Sequence, residues 1–209
     1  MKPLLPALAA AFLLSACGPR PVGPEAAVPV EAAWRSVATS PDRERLREWR
    51  TAFTQALAKA RAAGHAAEIE AEGALLRPDA ALPGVTPPPG DYACRVTKVG
   101  AKAQGLLDYV AYPAFACRIG PGPGEVLDFV KRTGSQRPVG RLFPENPRRM
   151  VFLGTLQLGD EAGTLRYGHD PERDMAGLLE RVGDDRWRLL FPYPAFESTM
   201  DVLELVPAA

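Results

Sequence analysis

Four groupings of residues in this chain have types and spacings suited to chemistry. The first is His169-Asp170-Pro171-Glu172-Arg173-Asp174. Three carboxylates at alternate positions beside an imidazole offer oxygen and nitrogen donors to a cation. The spacing lacks the central Gly and terminal Glu of an EF-hand loop, and a charged turn between strands has the same composition, so no metal site is expected. The second is Thr133-Gly-Ser-Gln-Arg-Pro138. A Ser in a Gly-flanked turn invites a nucleophile reading, but the Gly-x-Ser-x-Gly elbow is absent and only His65 and His169 exist as bases. A turn held by its own side chains, or a recognition loop presenting Ser135, Gln136 and Arg137, fits better. The third is charge segregation: Lys131 through Arg149 holds six basic residues against one acid, whereas Asp160 through Asp185 is mostly acidic. Cross-strand pairing accounts for this more simply than a basic binding rim. The fourth is a set of aromatics, Tyr92, Tyr109, Tyr112, Phe115, Phe191, Tyr193 and Phe196, which would fill a barrel core or line a small cavity. No paired acid and base or nucleophile and base emerges from these spacings, so no catalytic residue and no cofactor are expected.

The element that must position most of these groups lies between Tyr92 and Ile119. Tyr92-Ala-Cys-Arg-Val and Phe115-Ala-Cys-Arg-Ile share a signature on either side of a Gly-containing loop. Antiparallel pairing with Cys94 opposite Cys117 sets Val96 against Phe115 and Tyr92 against Ile119, all on one face, with Arg95 and Arg118 on the other. Opposed Cα atoms lie roughly 4.5–5.5 Å apart, within disulfide range. A metal pair is the competing reading, but neither histidine is at ligand spacing. A disulfide closing this loop would add roughly 3 kcal/mol in the chain-entropy model.

The address is written at the N-terminus. Lys2 and the short apolar run Leu4–Leu14 form a secretory signal too short to span a bilayer. Leu14-Ser15-Ala16-Cys17 resembles the bacterial lipobox, which implies cleavage after residue 16, lipidation of Cys17 and anchoring in the envelope. Gly18 follows in place of Asp, and resemblance to enterobacterial lipoprotein sorting then implies the outer membrane, on the periplasmic face. Residues 17–33 read as a Pro-rich tether. Charge is balanced, 25 Lys and Arg against 25 Asp and Glu, so no nucleic-acid partner is expected.

Residues 34–77 read as helical. Ser40-Pro41-Asp42 is a start signal with Ser40 as cap, followed by a stripe of Leu46, Trp49, Phe53, Leu57 and Ala60 and a stop at Gly64. A second helix is expected over Ala66–Leu76. Arg77–Gly90 is Pro-rich and reads as a boundary. Residues 90–207 then carry turn signals every eight to twelve residues. Expected strands after the hairpin are Val126–Lys131, Gly140–Phe143, Met150–Leu158, Thr164–Tyr167, Met175–Val182, Arg186–Phe191 and Thr199–Val206. The fold class is therefore mainly β with an N-terminal helical segment: a small antiparallel up-and-down barrel, lipocalin-like, with one disulfide, a sandwich being the alternative.

Several stretches resemble a bacterial envelope family known as domain of unknown function 4893. They are Tyr92-Ala-Cys-Arg-Val, Gly105-Leu-Leu-Asp-Tyr-Val, Thr133-Gly-Ser-Gln-Arg-Pro138, Phe152-Leu-Gly-Thr155, Tyr167-Gly-His-Asp-Pro-Glu-Arg-Asp174, Arg186-Trp-Arg-Leu and Glu197-Ser with Asp201-Val-Leu-Glu-Leu-Val. The resemblance implies a single compact domain in a secreted or lipid-anchored protein and carries no activity. The expected function is a non-enzymatic binding module for a small apolar ligand or an envelope component, with Tyr92, Phe115, Ser135, Gln136, Arg137 and Tyr193 as candidate binding residues. An interaction or inhibitor module acting through a surface loop is the alternative, and a hydrolase the third reading.

Overall fold

A computed structural model describes residues 33–159 and 161–208. From Gly90 onward the alternating pattern builds antiparallel strands: β1 (Gly90–Ala101), β2 (Tyr109–Ala111), β3 (Phe115–Pro121), β4 (Leu127–Lys131), β5 (Gln136–Asn146), β6 (Arg149–Leu158), β7 (Asp174–Gly183), β8 (Arg186–Pro192) and β9 (Ser198–Pro207). Each of β3 to β8 pairs with the next, β1 pairs with β3, and β9 returns to β1, so eight strands close into an up-and-down barrel. β2 pairs with the distal half of β1 alone. Thr164–Tyr167, expected as a strand, is instead a loop between β6 and β7.

Alternate residues point inward and fill the barrel. Tyr92, Cys94, Ile119, Phe129, Leu142, Phe152, Leu179, Leu189, Phe191 and Leu203 belong to one apolar core. The Phe152 ring meets Phe129 and Phe191 edge to face, with centroids 5.7 and 5.4 Å away, the geometry the ring quadrupole favours. Its space exists because Gly140 and Gly154, paired across β5 and β6, lack side chains. A Cβ on Gly154 would lie 2.6 Å from Phe152 Cζ and 2.7 Å from Gly140 Cα.

The Cys94–Cys117 disulfide is present, with Cα atoms 5.9 Å apart, but the register differs from the expected one by two residues. Cys94 stands opposite Phe115, and Tyr92 opposite Cys117. The 102–108 loop and β2 set this register: Tyr109–Ala111 pairs with Thr97–Val99, and Pro113 interrupts the strand before β3 resumes. A two-residue shift preserves the faces, so the cysteines meet as diagonal neighbours.

The helical layer comprises α1 (Ala33–Val37), α2 (Ser40–Arg47), α3 (Trp49–Ala62) and α4 (Ala66–Ala71), with a 3₁₀ turn over Gly73–Leu76. The cap of α2 is Thr39, one residue before the expected Ser40; its hydroxyl accepts from Asp42 N at 3.3 Å. The single expected stripe is broken at Glu48. Leu46 packs with α1 and the outer faces of β5–β7, whereas Phe53, Leu57 and Ala60 pack on Val99, Leu190, Met200 and Val202 of β1, β8 and β9. One straight helix cannot lie on both parts of a curved wall. Gly64, at φ +99°, ends α3 as expected.

Arg77–Gly90 is not a free boundary. It crosses one end of the barrel and closes it. Leu82 bridges to Arg181, Trp187 Nε1 donates to Val85 O at 2.8 Å, and the Tyr92 hydroxyl donates to Pro88 O at 2.6 Å. Val85 is buried in the barrel core. Alternation along β8 puts Arg188 on the outer face, but that face is under the helical layer and Arg188 is 0% exposed. It pairs with buried Glu180 at 2.6 Å and donates to Ala74 O, Leu75 O, Arg77 O and Pro78 O. These bonds satisfy carbonyls that the 3₁₀ turn leaves open.

Candidate functional site at the open end of the barrel

With one end plugged and the middle filled, the accessible interior lies at the other end. There the N-terminal residues of β3, β5 and β9 meet the C-terminal residues of β1 and β4. Val96, Lys98, Phe115, Lys131, Ser135, Gln136, Tyr112 and Glu197 line a cavity of about 130 Å³, and a smaller one of about 30 Å³ lies beneath it. Neither holds a lipocalin-sized ligand.

Two lysines occupy inward positions here. Lys98 stands directly opposite Asp201, and its ammonium lies 2.9 Å from Asp201 Oδ2 and 3.1 Å from Glu197 Oε2. The second oxygen of Asp201 accepts from the Ser198 hydroxyl. Burial pulls the Lys98 ammonium down, but the two carboxylates more than offset it and leave its pKa raised. Lys131 is different. At 2% exposed, it donates to Thr133 O at 2.7 Å and Gln136 O at 3.0 Å, and its Nζ lies 3.6 Å from the centroid of Phe115. Among the described residues it has no carboxylate partner. Burial, and then the positive charges of Arg137 and Lys98, push its pKa down to about 8. A buried cation satisfied only by neutral groups is costly and attracts an anion.

Of the candidate binding residues, the fold brings together Phe115, Ser135 and Gln136 at this mouth. Arg137 points outward, where it ties the flanking loops by donating to Gly134 O at 3.0 Å, Gly159 O at 2.5 Å and Glu161 O at 3.4 Å. Tyr92 lies at the plugged end against Trp187. Tyr193, at φ +47°, sits outside the barrel with its hydroxyl 3.2 Å from Gln55 Oε1. Lys98 and Lys131 escaped the sequence reading, although a signal existed. Tyr92, Cys94, Val96 and Lys98 alternate onto one face, as do Leu127, Phe129 and Lys131.

The other groupings resolve structurally. Asp170 caps its own turn by accepting from Glu172 N at 3.0 Å, and Asp174 accepts from Gly168 N at 2.8 Å. Among the described residues no group of three or more His, Cys, Asp or Glu is placed to hold a metal ion. In the basic stretch, Arg132, Arg141 and Arg149 pair with Asp91, Asp128 and Glu180. The signal, Cys17 and most of the tether lie outside the described residues.

No curated protein and no solved structure matches this chain. The model of one protein family, described as domain of unknown function (DUF4893), matches residues 34–205, which take in the helical layer, the plug and nearly the whole barrel, and the chain belongs to that family.

Proposed function

We propose that this protein is a non-enzymatic binding module, held in the cell envelope through a lipid on Cys17, that receives a carboxylate end-group of its ligand in the mouth of the barrel. The observation that carries the reading is Lys131: buried, bonded only to two carbonyls and an aromatic face, and without a carboxylate partner among the described residues. An incoming carboxylate would supply the missing counter-charge in a low-dielectric site, where charge-assisted hydrogen bonds are strongest. The cavity admits an end-group rather than a whole molecule, so the rest of the ligand would lie against Tyr112 and Phe115 at the rim. A filled interior argues against the apolar-carrier version of a binding barrel.

The test is calorimetric titration of the full chain with short monocarboxylates from acetate to hexanoate. Saturable binding that weakens as pH rises past about 8, where Lys131 loses its proton, and that disappears in Lys131→Met supports the reading. Binding unaffected by Lys131→Met, or none with any of the acids, sinks it.

A further inference from the structure

The outer wall of the barrel is covered unevenly. The helical layer lies over β7, β8, β9 and β1, with α1 at the edge of β5. α1 and Leu46 of α2 also cover Phe143, Val151 and Leu153 on one part of β5 and β6, and beside them the outer face of β3, β4 and the adjoining parts of β5 and β6 borders an open groove of about 850 Å³, a volume typical of sites for drug-sized ligands. Cross-strand register sets its floor. Val139 stands opposite Thr155, and in the next outward row Arg141 stands opposite Leu153. One bank is the 164–167 loop. Its Tyr167 hydroxyl donates to Asp42 at 2.5 Å and accepts from Thr39 N at 3.1 Å. That anchor on α2 positions the neighbouring Leu165 and Arg166 beside the groove, where Leu165 is 46% exposed.

Two features ask for a ligand. The first is charge: Arg118, Arg141 and Arg166 line the groove against Asp128 as its acid. Arg118 is paired with Asp91 and Arg141 with Asp128, but Arg166 has no acidic partner among the described residues. The second is Thr155, which is 3% exposed and whose Oγ1 has no hydrogen-bond partner among the described residues. A buried hydroxyl left unpaired is destabilising and rare in native structures.

We infer that this groove binds a single-chain anionic amphiphile, with hydrocarbon on Val139, Leu153 and Leu165 and an acidic head at Arg166 and Arg141. The apolar floor alone would take any hydrocarbon; the surplus of arginine selects a negative head. The site is separate from the barrel mouth and does not depend on the reading of Lys131.

The probe is dodecyl phosphate below its micellar concentration, titrated into the full chain by calorimetry. One equivalent is expected to bind. Arg166→Ala, at an exposed position, should weaken it about tenfold, the usual effect of losing one charge-assisted hydrogen bond. Val139→Glu should remove it while the circular dichroism spectrum stays that of the parent, and Lys131→Met should leave it unchanged. Absence of saturable binding would overturn the inference, as would binding indifferent to both groove variants. Loss on Lys131→Met would overturn it too, by moving the amphiphile to the mouth. Equal affinity for inorganic phosphate or for dodecyl maltoside would do the same, because the groove is assigned to chain and charge together.

Discussion

Replacing Lys131 with Met removes a charge from inside the barrel while keeping a side chain of similar length, and the pH dependence of the effect can be worked out. An unfolded chain holds the Lys131 proton up to its ordinary pKa of 10.5, whereas the folded barrel gives it up at about 8. Below about pH 8 the residue is charged in both states, and burial weighs against folding in full. Between about 8 and 10.5 only the unfolded chain binds the proton, so stability rises with pH. The slope there is about 1.4 kcal/mol per pH unit, and the whole window is worth about 3 kcal/mol. Urea unfolding of the parent and Lys131→Met from pH 7 to pH 9.5 isolates this contribution, because every other titrating group cancels in the difference. The parent should gain about 2 kcal/mol on the variant across that range. Two parallel profiles would mean that the amine is solvated like any surface lysine. The argument for an anionic ligand at the mouth would then fall with it.

Other outcomes follow from the packing. Replacing Cys94 and Cys117 together by Ala reopens a loop of 23 residues' separation and should cost about 3 kcal/mol in denaturant unfolding. Arg188→Met strips the carbonyls of the 3₁₀ turn and leaves Glu180 buried with Arg149 alone, for a loss of about 3–5 kcal/mol; Arg188→Met with Glu180→Leu should lose less than the single change. Gly154→Ala drives a methyl into Phe152 and Gly140 and should cost at least about 2 kcal/mol, whereas Gly120→Ala, with nothing within 4 Å of the added Cβ, should be nearly neutral in the same thermal melt.

The strands were legible because a barrel wall imposes period 2, and that pattern survives in Trp187, Leu189 and Phe191 as in Leu127 and Phe129. What lies across the wall was not. Arg188 alternates correctly, but its outer position meets α3 and the 3₁₀ turn instead of water, and no local pattern states where a helix will dock. The plug was hidden for a similar reason. Proline and glycine mark Arg77–Gly90 as irregular, yet irregular chain can be buried when its backbone groups find partners, here Arg181, Trp187 and Tyr92. The mouth was half visible. Phe115, Ser135 and Gln136 stand out in the sequence one by one, but Lys131 opens a stretch with six basic residues against one acid that reads as surface charge, and Lys98 carries no motif of its own. Following alternation through Leu127, Phe129 and Lys131 would have turned one of them inward.

The seam between β1 and β9 joins the first barrel strand to the last, from Tyr92 opposite Pro207 to Ala101 opposite Ser198. More than a hundred residues must therefore be synthesised and kept available before this ladder can form. Folding that waits on so distant a pairing is slow. Until β9 arrives, β1 and β8 present open edges able to pair with other chains. A chain cut short before Ser198 would not be a smaller barrel. It would be an open sheet with two sticky borders, so the ten residues of β9 protect the whole molecule from self-association.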